Sequence, residues 1–571
     1  MRIKIYTLAI AGLMSLPFAA NADELHKEIT LDKDVVTAQR DVNRQSLSPE
    51  ITLPAITAKR LAFSDKSTMA TFSNSIARLD AATYANNLLD GPASGYVTAG
   101  YFPLFNLNLA AGYQFLDNDR TKVNAWMNYD GTNYDRNDLT VKRHHATIFA
   151  DASHILIPRL MLFGNASGTF DTFNYPLFYN ADDQHTRQVN ANIGVRSLGN
   201  GLPFAYYARL KYNHVSFSES IPMLADNGAK PINENKFSFY GGVTANFDEY
   251  SSISLDVRAA YTRYGGDEYR EDVIGKFAEV EKKNHFKILL NPHIDYAKGK
   301  ASAHIGFEFK AALAPKTKIY FAPDVDLQYR LNNWLGFNAH VGGGEVINSF
   351  EKVLPVDIYA SPNIICATGH VPVDALLSVN LGPFHGASLS LFGGYSIAND
   401  ILALDDRYIT IIDEMGEPQL INAGAYSLRN TDMKGFRFGA SAAYKYRDLV
   451  EAKASFQMAP QKADRGYYPW LDHAKKVVEA SVYVYPLKPL SVGVKYTLRT
   501  SRATYYTNEE GTFRNSLGNV NSLDLNGTYR LNDNIRLHAT LENLMDRNWQ
   551  IFNGVPASGI TGLIGATYIF R

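Results

Sequence analysis

GITGLIGATYIFR, residues 559–571, ends the chain and decides its fold. Ile564, Ala566, Tyr568 and Phe570 alternate with small or polar residues, so this stretch predicts one strand with an apolar face. A membrane β-barrel closes by pairing its last strand with its first, and aromatic residues form a girdle at the interface. We therefore expect a closed barrel, in which Tyr568 and Phe570 form the C-terminal signal for the barrel-assembly machinery.

The other end of the sequence predicts export. Arg2 and Lys4 supply a positive start, residues 8–18 a short apolar stretch, and Ala20-Asn21-Ala22 a small-residue cleavage site. Residues 1–22 are thus expected to be a signal peptide. An exported chain with such a last strand is expected in the lipid of a Gram-negative outer membrane.

Composition agrees with one large barrel better than with several soluble domains. No Pro-rich linker or charge block divides the chain, although a prior of about 150 residues per domain would suggest several domains. The 56 basic and 57 acidic residues nearly balance, so the charge does not indicate a nucleic-acid partner. The 35 Tyr and 31 Phe residues suit the aromatic girdles of a barrel, although a secreted β-sandwich could share them.

Cys366 is the only cysteine, so no internal disulfide can form. It is far from the cleavage site and is not expected to carry a lipid anchor. After residue 22 no run of about 18 apolar residues occurs, and this argues against helical membrane spans.

From residue 95 onward, apolar residues alternate with polar ones. A soluble β-sandwich also alternates, but here charges of both signs recur in mid-strand on the polar face, as in a wet barrel interior. The segments are also longer than the five or six residues typical of globular strands. We predict an all-β, transmembrane antiparallel barrel over residues 93–571. Representative apolar faces are Tyr206, Ala208, Leu210 and Tyr212; Ile253, Leu255, Val257, Ala259 and Tyr261; and Ile535, Leu537, Ala539 and Leu541.

Counting these alternating segments predicts about 22 strands, and the lengths of the connections check that number. Tight links are then expected after even strands, and longer loops after odd strands. Short periplasmic turns and long extracellular loops are typical of such barrels, and an even count places the N-terminus in the periplasm. The tight links are 248–250, 298–300, 332–333, 383–386, 447–448, 487–489 and 532–534, and the longer loops are 177–186, 219–235, 266–282, 350–369, 401–434, 462–474 and 553–559.

At its C-terminus the chain resembles TonB-dependent receptors, outer-membrane barrels that take up solutes. That family ends with an N-L-x-D segment, a G-x-P loop with a Gly-Arg nearby, and an aromatic terminal strand. Here Ile560 stands where the arginine would be, and Arg571 follows the terminal aromatic residue. The matching residues are Asn543, Leu544, Asp546, Gly554, Pro556, Gly559 and Phe570.

The N-terminal part departs from that family. Its members carry a plug of well over a hundred residues, whereas only residues 23–92 precede the first predicted strand. This segment is expected to be a reduced or absent plug, similar to short-segment barrels of receptor type common in Bacteroidota. Asp34, Val35, Val36, Thr37 and Ala38 are similar to the element that such receptors offer to TonB, but a plain extended linker is an equal alternative.

No catalytic, metal or cofactor site is predicted, and we expect no enzyme. His144 and His145 are adjacent, so on a strand they point to opposite faces and cannot chelate one ion together. Gly342-Gly343-Gly344 lacks the lysine of a phosphate loop and instead predicts a strand kink or a close backbone contact.

Charged residues on the polar face are the predicted functional surface. They are expected to line the lumen, where they either surround water or pair with each other and with an internal segment. The predicted residues are Arg209, Lys211, Asp256, Arg258, Glu308, Lys310, Lys495, Arg499, Asp524, Arg530, Arg536 and Glu542.

Two functions fit these observations. The first is a receptor-type barrel that moves or admits a solute through the lumen, with TonB as a partner. The second is a non-transporting barrel that anchors or scaffolds other envelope proteins; it gains support from the missing plug, because a wide open lumen would leak. The loops 350–369 and 401–434 are expected either to contact ligands or partners, or to pack over the mouth.

Overall fold

The computed structural model describes residues 94–570. The predicted signal peptide, the segment 23–92 with residues 34–38, and Cys366 lie outside the described residues. Within 94–570, the residues left undescribed are 103–105, 178–181, 199–203, 222–227, 272–276, 281–283, 315–316, 347–348, 356, 366–368, 413–417, 460–461, 464–473 and 509–510.

Twenty-two antiparallel strands form one closed sheet, which confirms the predicted fold class and count. They are β1 (Gly95–Phe102), β2 (Asn106–Asp117), β3 (Thr121–Arg136), β4 (Leu139–Ile157), β5 (Leu160–Phe173), β6 (Gln184–Ser197), β7 (Phe204–Phe217), β8 (Asn233–Asn246), β9 (Ser251–Gly265), β10 (His285–Lys298) and β11 (Ala301–Ala314). The second half comprises β12 (Lys318–Asn332), β13 (Leu335–Val346), β14 (Gly369–Phe384), β15 (Ala387–Ile412), β16 (Pro418–Tyr446), β17 (Val450–Met458), β18 (Lys476–Leu487), β19 (Leu490–Thr500), β20 (Val520–Arg530), β21 (Ile535–Glu542) and β22 (Thr561–Phe570).

The ring closes between its first and last strands. In β1, Gly95 pairs with Phe570 of β22, and Gly100 pairs with Gly565. Strand β1 also pairs with β2, and β22 with β21, so both terminal strands have two neighbours. No edge strand remains in the ring, as a barrel in lipid requires.

The two faces of the sheet differ as the alternation predicts. Along β7, Phe204, Tyr206 and Leu210 are exposed on the outside, whereas Asn213 and Phe217 are buried on the opposite face, here called the inner face. Exposed aliphatic and aromatic side chains recur on the outer face of strands around the ring. Such an outer surface suits hydrocarbon and leaves the polar residues to the lumen.

The links sort by parity as expected. Even strands pass to odd strands through short turns at one end of the barrel, called the turn end; Asn332 and Leu335, for example, flank a two-residue link. The long connections lie at the other end, the loop end. Short links also occur there: Asn137 and Asp138 join β3 to β4 with positive φ angles of 52° and 60°.

One predicted loop is instead a pair of long strands. Residues 401–434 were expected to be a loop, but β15 runs for 26 residues to Ile412 and β16 begins at Pro418. The two strands stay paired from Ala387 to Ile412, with register shifts near Ala398 and Asp406. β-Branched residues such as Ile409 and Ile411 favour extended backbone, and the cross-strand pairing resumes after each register shift.

The three glycines of β13 mark the expected kink. The register with β14 shifts between Gly342 and Gly344, and Gly344 has a φ of 105°. A side chain at Gly343 would collide with the backbone oxygen of Val371, so the two strands approach closely here. The interpretation as a bulge and not as a phosphate loop is confirmed.

Small elements fill the loops. Short hairpins form at Glu268–Glu271 with Phe277–Val280, at Ala503–Asn508 with Gly511–Ser516, and at Gln550–Phe552 with Val555–Pro556, and Lys462–Ala463 pairs with β16. A single helical turn, α1, spans Phe350–Val353. Within the described part of the chain, no helix has the length and apolar character needed to cross a membrane.

We expect Gly565→Val to destabilise the closing seam. A Cβ atom at Gly565 would lie 2.7 Å from the Cα atom of Gly100 and in contact with the backbone oxygen of Ala99, so β1 and β22 would have to separate. Overpacking of this kind costs about 1–3 kcal/mol. The measurement is the midpoint of guanidinium unfolding of the purified protein in detergent.

Gly336→Val is the matched control. Gly336 is also on the inner face, in β13, but a Cβ atom added there would have only the backbone oxygen of Tyr329 within 4 Å, at 3.9 Å. Equal midpoints for the two variants would show that the β1–β22 seam has no special packing constraint.

Candidate functional site: a loop across the barrel mouth and the polar inner wall

The connection between β13 and β14 carries an apolar segment that is buried at the loop end. Ser349 precedes α1 with extended backbone (φ −133°, ψ 155°), and Glu351 and Lys352 lie in its single turn. We call residues 349–365 the mouth loop. Its buried apolar side chains are Phe350, Val353, Leu354, Tyr359, Ala360, Ile364 and Ile365.

The mouth loop reaches the opposite side of the ring. It starts from β13, yet Phe350 packs edge-on against Phe217 at the end of β7, with ring centroids 5.0 Å apart. Tyr359 contacts Phe173 at the end of β5 at 5.4 Å and stacks on Phe552 of the β21–β22 connection at 4.7 Å. Because β5 and the β21–β22 connection each lie eight strands from β13, in opposite directions around a 22-strand ring, the loop crosses the mouth.

Asn363 ties the mouth loop to the β7–β8 and β9–β10 connections. Its Nδ2 donates to Ser220 Oγ at 3.0 Å, to the Lys230 carbonyl oxygen at 3.3 Å and to that of Asp267 at 3.4 Å. Its Oδ1 accepts a hydrogen bond from the Ile221 N–H at 3.2 Å. A fully buried amide with these partners fixes the loop's position, since each broken bond would leave a buried polar group unpaired.

Glu351 anchors the start of the mouth loop to the wall. Its carboxylate pairs with Lys211 of β7 and lies 2.7 Å from the Nζ of Lys236 of β8. Burial alone would raise the pKa of Glu351. The two ammonium groups together have the larger effect, and they lower this pKa from its ordinary value to about 2. Beside this pair, the N–H of Phe350 donates to Glu234 Oε2 at 3.2 Å. Glu351 is therefore ionised at neutral pH and shared by two cations.

Lys211 lies below the rim of the barrel. It is on the inner face of β7, six residues before the strand ends at Phe217. Since a strand rises about 3.3 Å per residue, α1 enters the lumen and does not rest on its rim. The alternative in which this loop packs over the mouth is the one that the structure supports.

The other predicted lumen residues also lie on the inner face, but in several separate groups. Tyr207 donates its hydroxyl to Asp256 at 3.1 Å, and Arg258 lies 4.0 Å from Glu308. The guanidinium of Arg209 stacks over Tyr240 at 4.3 Å, and the Lys310 ammonium lies 4.9 Å from the ring of Tyr320. The remaining ones are Lys495, Arg499, Asp524, Arg530, Arg536 and Glu542 on β19 to β21.

On β19 to β21 the predicted charges face one another across strands. Lys495 is the register partner of Asp524, and Arg530 that of Arg536. Asp524 accepts hydrogen bonds from Ser522 Oγ at 2.6 Å and from the Asn543 N–H at 3.0 Å. Among the described contacts, the predicted residues thus fall into several groups along the inner face, and Lys211 contacts the mouth loop.

Two further predictions concern the termini and the paired histidines. Tyr568 and Phe570 are exposed on the outer face of the closing strand, 5.1 Å apart. His144 bonds to the Tyr129 hydroxyl at 2.7 Å, and His145 to Asp171 at 2.7 Å, so the adjacent histidines have separate partners as expected.

Glu351 and Lys236 were not predicted. Lys236 shares the parity of the polar face of β8, so its position could be found from the alternation. Glu351 lies in a loop, and no periodicity indicates where a loop side chain points. A Ser-Phe-Glu-Lys run with clustered apolar residues after it is the one signal for a buried segment in that loop.

Comparisons with known proteins agree on the fold. No family model and no curated protein matches the sequence. The FrpB iron transporter from Neisseria meningitidis is similar with a TM-score of 0.64 and 10% identity, over 84% of this chain and 82% of that one. The siderophore receptor PirA from Acinetobacter baumannii gives 0.62 and 12%, over 85% and 81%. The copper transporter OprC gives 0.61 and 12%, over 84% and 80%.

Each similarity covers at least 80% of both chains, so it extends over the barrel as a whole. The resemblance to TonB-dependent receptors is confirmed at the level of fold. The chain has the 22-stranded barrel fold of the TonB-dependent outer-membrane receptors.

Proposed function

We propose that this chain is an outer-membrane barrel of receptor type that admits a solute through its lumen, and that the mouth loop controls passage. The barrel fold supports transport at a coarse level, since the similar structures are described as transporters of iron and copper and as a siderophore receptor. None of them is described as an enzyme, and we propose no reaction for this chain.

The observation that carries the proposal is the path of the mouth loop. A barrel of this width encloses space for water and solutes. The loop crosses that space and is held by Glu351 between Lys211 and Lys236. An ion pair at the start of a crossing segment can be broken without unfolding the barrel wall, so it suits a gate.

The inner wall supplies the surface along which a solute would pass. We propose that the predicted charged residues line this path, with Arg258 of β9 close to Glu308 of β11 and Lys495 of β19 opposite Asp524 of β20. Charges of both signs keep the lumen hydrated, which favours passage of polar solutes.

The proposed function also specifies the orientation and the partners of the barrel. With the loop end outside the cell, the turn end and the N-terminal segment face the periplasm, where residues 34–38 would meet TonB. The exposed apolar outer face would contact outer-membrane lipid, and Tyr568 and Phe570 would be read by the barrel-assembly machinery.

The second function, a closed scaffold for envelope proteins, has a specific observation in its favour. The mouth loop is fixed by apolar packing and by the buried Asn363 as well as by the ion pair. Such a closure could be permanent. The conductance of mouth-loop variants separates a gate from a permanent cap.

We expect Glu351→Gln to raise single-channel conductance in planar bilayers. The substitution keeps the shape of the side chain but leaves Lys236, which is 3% exposed, without its counter-charge. Stranding a buried charge costs about 3–5 kcal/mol, which shifts the closed–open equilibrium by at least about a hundredfold.

Glu451→Gln is the matched control, because Glu451 also pairs with a lysine on the inner face, Lys445 at 3.0 Å, but near the turn end. It should conduct like the unmodified protein. If Glu351→Gln and a variant with residues 350–365 replaced by a Gly-Ser linker both stay closed, gating is wrong. Recovery of a fixed envelope partner with both would then favour the scaffold.

We also expect conductance to rise between pH 5 and pH 7. Asp357 in the mouth loop is 3% exposed, and burial raises its pKa to about 7 although the Tyr359 N–H and Arg143 lower it. Its Oδ2 has no hydrogen-bond partner among the described residues. A raised pKa means that the closed state prefers the neutral acid, so closure loses stability as the pH rises from the ordinary carboxyl pKa of 3.8 to about 7, and no further above that value.

Asp357→Asn should abolish this pH dependence and hold the loop closed at pH 8. Glu351 does not contribute in this range, because its lowered pKa makes closure weaken only as the pH falls from 4.5 toward 2. An unchanged pH profile in Asp357→Asn would exclude Asp357 as the responsible group.

Residues 34–38 offer a test of the energised form. Thr37→Pro removes a backbone donor from the segment and should prevent retention of the full-length protein on immobilised TonB, whereas Thr37→Ser should be retained. Equal retention of both variants would place TonB contact elsewhere or nowhere in this segment.

A further inference from the structure

Histidine and aspartate alternate on the inner face of four neighbouring strands near the turn end. Asp295 of β10 is the register partner of His304 of β11, and His304 that of Asp326 of β12. Asp326 is in turn the partner of His340 of β13, with 2.6 Å between Oδ1 and Nδ1. Neither the mouth loop nor its anchors contribute to this row.

Two side chains of this row, Asp295 and His304, converge with His293 at one point of the wall. His293, Asp295 and His304 each offer a ligand atom, and the three atoms lie within 4.8 Å of one another. Asp295 Oδ1 lies 2.7 Å from His304 Nδ1, and its Oδ2 lies 3.5 Å from His293 Nε2. Bonds of about 2.0–2.1 Å to a tetrahedral Zn²⁺ separate ligand atoms by about 3.3 Å, which small side-chain rotations would reach here.

Hydrogen bonds determine which nitrogen of each histidine faces Asp295. His293 Nδ1 lies 3.3 Å from the carbonyl oxygen of Asn291, which can only accept, so Nδ1 carries the proton. His304 Nε2 lies 3.2 Å from Asp324 Oδ2 and donates to it. His293 Nε2 and His304 Nδ1 are therefore the two nitrogens that face Asp295, and a cation bound there would replace the proton through which His304 Nδ1 donates to Asp295.

Supporting groups hold this arrangement. Asp324 accepts from Asn291 Nδ2 at 2.6 Å as well as from His304, which forms the carboxylate–histidine contact that orients metal ligands. Asn291 is 4% exposed, and its Oδ1 has no hydrogen-bond partner among the described residues.

Gly306 leaves the space open. It is the register partner of His293, and a Cβ atom there would lie 2.6 Å from His293 Cβ and 3.1 Å from Asn291 Oδ1. Any larger residue would displace His293 or Asn291. Glycine at this position therefore lets His293 keep its place beside Asp295.

We propose that His293, Asp295 and His304 bind one divalent first-row transition-metal ion at the inner wall, and that Asp324 orients His304. Two imidazoles and a carboxylate suit Zn²⁺, Cu²⁺, Ni²⁺ or Fe²⁺, whereas Mg²⁺ and Ca²⁺ prefer oxygen ligands alone. The site goes beyond the proposed passage of a solute, because it requires binding and no opening of the mouth loop.

Calorimetric titration of the full-length, chelator-stripped protein in detergent tests the site. We expect one Zn²⁺ per chain and no competition by Mg²⁺. His293→Gln and His304→Gln should abolish stoichiometric binding, and Asp324→Asn should weaken it about 10–100-fold, as expected for a residue that orients a ligand. His145→Gln is the matched control, since His145 has the same 2.7 Å contact with an aspartate but no second histidine.

Electron paramagnetic resonance with Cu²⁺ supplies a second measurement on the same proteins. The unmodified chain and His145→Gln should show coupling to two imidazole nitrogens, and His293→Gln or His304→Gln to one at most. Because Asp324→Asn retains all three ligands, it tests the site even where a histidine variant does not fold.

Three results would overturn the proposal: no Zn²⁺ binding up to about 1 mM, unweakened binding by both histidine variants, or loss of binding in His145→Gln. Conductance does not enter any of these measurements. A failed metal site would thus leave the proposed gate standing, and a failed gate would leave the metal site standing.

Discussion

The pairing of β1 with β22 is the constraint on which the other features depend. In hydrocarbon no water satisfies an exposed peptide group, so a sheet is stable there only when its first and last strands bond to each other. Gly95 with Phe570 and Gly100 with Gly565 make that closure, and the close approach at Gly565 leaves no room for a side chain. Once the ring is closed, the outer face must be apolar and the inner face is free to be polar.

A closed ring of this many strands encloses a space that the side chains of the wall cannot fill. The mouth loop occupies part of that space. Apolar side chains at the ends of β5 and β7 point into the mouth, where only another apolar segment could cover them. Phe350 and Tyr359 do so, while Glu351 supplies the charge that the lysines of the wall require. Packing and electrostatics therefore hold the same segment at different points.

Much of the wall could be predicted from the sequence, and little of its filling. Period-two alternation indicates both faces, and turn lengths indicate strand order, because each depends on neighbouring residues alone. The extension of β15 and β16 through residues 401–430 was missed because charged residues there resemble a loop. The metal-ligand group was missed although the tight turn at Gly299 sets the register: counting outward from it pairs Asp295 with His304. The mouth loop's partners lie across the ring, and no local pattern encodes such a contact.

The β15–β16 hairpin has a consequence for how the cell presents this molecule. A strand of 26 residues is about 85 Å long at 3.3 Å per residue, whereas the hydrocarbon layer is about 30 Å thick. In the proposed orientation, the paired outer parts of the two strands lie beyond the lipid on the outside of the cell. An antibody or a phage approaching from the medium would meet them before it reached the lumen.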